Sequence, residues 1–231
     1  MLNFSTTNSS LSDIKKLKRT FYIVLVFTAI LWCIKLTEVS FHLDLSKLGI
    51  HPHTISGLIG ALTAPLIHGS FEHLIANSPA IIILGTALIY GYPRSCLLVI
   101  PVIWIGTGFG VWLTARPVFH FGASGLTYGC MFFIFVVGIL RKDRQAIALS
   151  LLVFFLYGTM IWGVFPHQPG ISFESHLWGA GMGTLCAVLF RNRDPAPPIK
   201  HYAWESDDED DPVMSNAWDQ LPESKDLEDN D

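Results

Sequence analysis

Four residues of this 231-residue chain carry the parts of an acyl-transfer site: the hydroxyl of Ser124, the imidazoles of His176 and His73, and the side-chain amide of Asn77. A serine hydroxyl is a weak nucleophile until a base within hydrogen-bond reach takes its proton, and His176 is the candidate base. The tetrahedral intermediate then needs preorganised donors, which His73, Asn77 and the backbone N–H of Ser124 could supply. Tyr128, four residues after Ser124, shares its helical face and could pack on the imidazole to fix its orientation. No acidic third member is evident, since Glu174 lies two residues before His176 and points to another face. The expectation is a Ser–His dyad.

Singly, each residue has an ordinary reading. A serine beside glycines in a membrane helix commonly serves packing or bonds its own backbone, and a lone His or Asn commonly bridges helices. What joins them is the arrangement of the elements that carry them. Just over half of the residues are hydrophobic and 15% are charged, a balance too apolar for an ordinary soluble domain. Six segments approach the length of a membrane-spanning helix, near 20 to 37, 66 to 90, 95 to 114, 119 to 140, 145 to 164 and 172 to 190. Pro79 should kink or loosen the second.

Basic residues gather at alternate ends of these spans: Lys15, Lys16, Lys18 and Arg19, then Arg94, then Arg141, Lys142 and Arg144, then Arg191 and Arg193. The opposite side carries Lys35, Lys47 and Arg116, so the positive-inside rule puts both termini in the cytoplasm. Even-numbered spans then run from outside to inside. Ser124, His176, His73 and Asn77 fall in the outer half of the bilayer at similar depth, where polar groups are costly and functional by default.

The remaining segments are simpler. Residues 1–19 are expected as a cytoplasmic N-terminal segment, retained because no small-residue cleavage site follows the first apolar run. Residues 20–190 form the membrane domain. Residues 191–231, with 201–231 holding 12 of the 19 acidic residues, should be a disordered cytoplasmic tail. Between the first two spans, Ile55, Leu58, Ile59 and Leu62 recur at helical spacing, as in a short helix lying in the membrane interface. Cys33, Cys96, Cys130 and Cys186 sit in or beside apolar runs, which suggests neither a disulfide framework nor a zinc site.

Small residues complete the pattern. Gly125 and Gly129 follow Ser124, Gly179 and Gly183 follow His176, and each pair clears one helix face so that two backbones can approach. With GASG around Ser124, Tyr128 behind it, SHLWGAGMG carrying His176, and HGSFEHLIAN carrying His68, His73 and Asn77, the sequence resembles the bacterial rhomboid intramembrane serine proteases of the basic six-helix type. The resemblance covers residues 20 to 190 or so. It implies an all-α bundle of six transmembrane helices with an interfacial first external loop, in the bacterial inner membrane. It further implies Ser124 as nucleophile, His176 as base, His73 with Asn77 around the oxyanion, and support from Tyr128, Gly122, Gly125, Gly179, Gly183 and His68. Substrates would be single-pass transmembrane proteins with helix-destabilising segments, cut near the outer face without metal or cofactor. No nucleic-acid partner is implied. One departure is that residues 38 to 65 lack the Trp-Arg pair common in the first external loop of the family.

Two other readings compete. His68, Glu72 and His73 invite a metalloprotease, but the order H-x-x-x-E-H turns the two histidines about 140° apart on a helix, unlike the zinc motifs. A non-catalytic client-binding relative or a small transporter is the other, though Ser and His are both kept and internal repeats are not evident.

Overall fold

The computed structural model describes residues 5–166 and 170–195, with side chains from residue 11 onward. The acidic stretch 201–231 lies outside the described residues. Seven α-helices follow in order: α1 (Ser5–Ser40), α2 (Ile55–Thr63), α3 (Phe71–Gly91), α4 (Cys96–Thr114), α5 (Ser124–Arg141), α6 (Arg144–Tyr157) and α7 (Phe173–Phe190). Among the described residues there is no strand, and a single antiparallel bridge joins Ile50 to His120. The chain is an all-α membrane bundle.

Among the described residues five stretches are long and apolar enough to cross a membrane: Leu11–Ser40, Phe71–Gly91, Cys96–Thr114, Ser124–Arg141 and Arg144–Val164. The expected sixth span is α7, as long as α5 but with a polar first turn containing Glu174, Ser175 and His176. Its Gly-rich face packs on α5 and α4. A helix so enclosed does not need to be apolar on every side.

Several boundaries differ from those expected, and each difference has a local cause. Helix α1 begins at Ser5, ahead of the apolar run; the Leu, Lys and Arg residues between 11 and 19 are good helix formers and favour that extension. Helix α3 begins at Phe71, since Gly69 and Ser70 end the preceding loop. The Ser70 side chain caps the helix by accepting from the His73 amide at 3.2 Å. Helix α3 continues through Pro79 without interruption. Helix α5 begins at Ser124 itself, five residues later than expected, because Gly122 takes a left-handed φ of +119° that a helix cannot include. Helix α6 gives way to 3₁₀ turns over Gly158–Val164.

The core lies where α3, α4, α5 and α7 meet, around Leu84, Leu88, Val99, Ile103, Phe133 and Val137. Helix α5 is central, packing most extensively on α7 and then α6. Between α1 and α3, helix α2 stands as the expected short amphipathic element. Its Ile55, Leu58, Ile59 and Leu62 are all exposed, while Gly57, Gly60 and Ala61 face inward. An outward apolar face of this kind fits a helix lying against lipid.

Candidate active site

The position of Ser124 follows from the turn before it. The Gly122 amide donates to the Ala64 carbonyl at 2.8 Å, and the buried Ala123 amide donates to Nε2 of His68 at 3.4 Å. A Cβ at Gly122 would sit 2.7 Å from Cε1 of His73, so both φ and space require glycine there. Ser124 is thereby held as the first residue of α5, where backbone N–H groups lack intrahelical partners and the helix dipole favours negative charge.

The second half comes from the α5–α7 contact. A Cβ at Gly179 would fall on the carbonyl oxygen of Gly125, and one at Gly183 on that of Gly129, well inside contact distance in both cases. Hydrogens in place of methyl groups let the two backbones touch. The short serine side chain can then bridge them: Ser124 Oγ lies 2.9 Å from Nε2 of the buried His176.

The other ring nitrogen of His176, Nδ1, lies 2.9 Å from the carbonyl oxygen of Gly163, in the 3₁₀ segment after α6. A carbonyl can only accept, so Nδ1 carries the proton and Nε2 is left to accept from the serine hydroxyl. Tyr128 stacks on the imidazole with ring centroids 4.0 Å apart and planes 4° from parallel. The ring is therefore fixed by a bond at one edge and a π-face over its plane.

Outside the dyad, the loop before α5 is clasped to the start of α7. The Arg116 side chain meets Glu174 through two bonds, Nε to Oε1 at 2.6 Å and Nη2 to Oε2 at 3.2 Å, and also donates to the Ile171 carbonyl at 3.2 Å. Buried His120 donates from Nε2 to the Arg116 carbonyl at 2.9 Å and accepts at Nδ1 from Ser172 Oγ at 2.7 Å. Ser172 Oγ in turn accepts from Ser175 Oγ at 2.8 Å. The side chain of Glu174 is 8% exposed and that of Arg116 51%. Removing the arginine leaves a buried carboxylate without its counter-charge, held only by the backbone N–H of residue 116 at 3.5 Å, whereas removing the glutamate leaves a cation already in contact with water. Arg116→Ala should therefore cost about 2–3 kcal/mol and Glu174→Ala about 1 kcal/mol. Thermal unfolding in one detergent orders the two, and a larger loss for Glu174→Ala would contradict this asymmetry.

The remaining sequence candidates are placed as follows. The His73 ring lies over Gly122 and packs edge to face on His68 with centroids 5.2 Å apart. Asn77 is buried one turn further along α3, and its Nδ2 donates to the His73 carbonyl at 3.1 Å, which among the described residues leaves one amide hydrogen free. Glu72 is exposed on the opposite side of the helix start from its neighbours Leu74 and Asn77. Among the described residues no three His, Cys, Asp or Glu side chains converge as a metal site would require. Sequence reasoning missed the Gly163 carbonyl, which no side-chain pattern announces. It also missed the His120–Ser172–Ser175 chain. Arg116 and Glu174 were visible as opposite charges on the same expected side of the membrane, and that was the available signal for their pairing.

Comparison with known proteins agrees with this arrangement of elements. The family described as "Rhomboid domain" matches residues 56–193. An uncharacterized protein of Mycobacterium tuberculosis is 33% identical over 175 residues, spanning 72% of this chain and 73% of the relative. One of Mycobacterium bovis matches equally, and one of Mycobacterium leprae is 30% identical over 175 residues, spanning 72% of this chain and 69% of the relative.

Proposed function

We propose that this chain, which belongs to the rhomboid family, is an intramembrane serine endopeptidase that cuts transmembrane proteins near the outer face of the membrane. Ser124 is the nucleophile and His176 the general base. The observation that carries this reading is the 2.9 Å separation of Ser124 Oγ from His176 Nε2, with Nδ1 engaged by Gly163. The chain is a multi-pass integral membrane protein. Its residence in a bacterial inner membrane with both termini cytoplasmic rests on the family and on the distribution of basic residues.

In the reaction, Oγ bonds to the scissile carbonyl carbon as its proton passes to Nε2. The resulting imidazolium is stabilised by the Gly163 carbonyl at Nδ1 and by the face of Tyr128. Negative charge on the former carbonyl oxygen is met by the Ser124 N–H at the α5 terminus, with His73 and the free amide hydrogen of Asn77 as further donors. Collapse expels the amine, which takes the proton back from Nε2. Water, deprotonated by the same nitrogen, then hydrolyses the acyl-enzyme. The chemistry needs no third carboxylate, because Gly163 already fixes the tautomer.

His73→Ala and Asn77→Ala should each lower turnover roughly 10 to 1000-fold, the worth of an oxyanion donor. Both should leave Ser124 and His176 in place. Wild-type rates in both variants would remove these side chains from the oxyanion site.

Cleavage itself is tested by reconstituting the chain with a single-pass transmembrane substrate that carries Gly or Pro in its outer half. Fragments ending near the outer membrane face, formed in the presence of chelator, are expected. An uncut substrate beside folded protein, or cleavage abolished by chelator, would contradict the reading.

A further inference from the structure

A second feature lies away from the dyad. Helices α1 and α4 stand apart, with α3 and α5 behind them, leaving a cleft of about 230 Å³. Its walls include Ile23 and Phe27 of α1, Leu84 of α3, Ile100 and Trp104 of α4, and Cys130 of α5. Thr127 supplies a hydroxyl there, but its proton is donated to the Ser124 carbonyl at 2.8 Å and is not offered to an anionic ligand. Ile23 is exposed, so the cleft opens sideways into the bilayer. An apolar space of this kind holds no ordered water. At one end α1 and α4 close over it, where Phe27 meets Trp104 edge to face at 6.0 Å.

The other end of the cleft is cationic. Lys16 and Arg19 lie seven and four residues before Ile23, spacings that return to the same face of α1. Lys16 Nζ is 5.2 Å from the ring centroid of Tyr90, next to the cleft residue Ile89, which holds the ammonium at the mouth. Along the axis Lys16 is about 10 Å from Ile23, and Phe27 is about 6 Å beyond. A cation at the membrane surface with an apolar slot rising from it matches one molecule in charge and shape.

We propose that this cleft is a binding site for an anionic phospholipid, with one acyl chain between α1 and α4 and the phosphate on Lys16 and Arg19. The inference rests on the bundle alone and is independent of the dyad. In the orientation given above the lipid belongs to the cytoplasmic leaflet. Basic residues at a membrane surface each contribute about a fivefold preference for anionic lipid.

The test uses the full chain in vesicles of equal phosphatidylglycerol and phosphatidylcholine, followed by extraction and native mass spectrometry. One retained phosphatidylglycerol per chain is expected. Lys16→Gln and Arg19→Gln should each lower the ratio of the two retained lipids roughly fivefold. Ile100→Trp, which fills the slot, should abolish retention. Brominated acyl chains supply a reading on the unfilled cleft. Brominated phosphatidylglycerol should quench Trp104, taken as the difference between wild type and Trp104→Phe, more strongly than brominated phosphatidylcholine. Equal retention of both lipids, retention of neither, equal quenching, or a second copy of the chain seated against Trp104 would each overturn the proposal.

Discussion

Replacing Ser124 with alanine is expected to abolish cleavage of a transmembrane substrate while leaving the bundle folded. Among the described residues the Oγ atom bonds only His176, and the residue sits at the start of α5, where alanine is well accommodated. Stability should hardly change. Activity should fall by up to about a millionfold, as when a nucleophile is removed from a catalytic unit that acts as one. His176→Ala should cost as much, because an unassisted hydroxyl is a poor nucleophile. The informative variant is the double one. If Ser124 and His176 operate as a single unit, removing both should be no worse than removing either. Rates of substrate cleavage for the four proteins give this directly, and additive losses would mean that the two residues act separately.

The second large effect is expected at Gly179, which touches no reacting atom. A Cβ there would overlap the Gly125 carbonyl oxygen, a backbone atom that cannot swing aside. Gly179→Val must therefore part α5 from α7. The Ser124–His176 bond spans that same interface at 2.9 Å and has no slack to follow. Near-complete loss of activity is expected, together with a lower unfolding temperature, since overpacking of this kind typically costs about 1–3 kcal/mol. Gly181 is the control. It lies on the same helix, exposed, with nothing within 4 Å of an added Cβ, so Gly181→Val should retain most activity. Equal loss in the two variants would mean that helix propensity, and not the α5–α7 approach, explains the glycine pattern.

Much of this arrangement was legible in the sequence because apolar runs and small-residue spacings report directly on helices in lipid. The all-α bundle, the amphipathic α2 and the glycine-mediated approach of α5 to α7 all follow from periodicity of that kind. Depth alone brought Ser124 and His176 to the same level, and a stacking role for Tyr128 followed from its spacing of four. The details that escaped are of a different sort. Ser124 was expected some way inside a span, yet Gly122 with its positive φ makes it the first residue of α5. That change matters chemically, because it puts the unpaired backbone amides of a helix start beside the proposed nucleophile. Hydropathy could not see it, since Phe119 and Phe121 are apolar whether or not they are helical. The Gly163 carbonyl was equally hidden, because any residue could supply it and only the turn after α6 aims it at His176.

The most direct measurement is covalent labelling with a fluorophosphonate, which reports an activated serine without requiring knowledge of the substrate. The folded wild-type chain in detergent or bilayer should gain one phosphonyl adduct, located on Ser124 by peptide mass spectrometry. His176→Ala should slow labelling by orders of magnitude, and Ser124→Ala should abolish it. A folded wild-type protein that takes no label, or an adduct that persists in Ser124→Ala, would contradict the assignment of Ser124 as a nucleophile activated by His176.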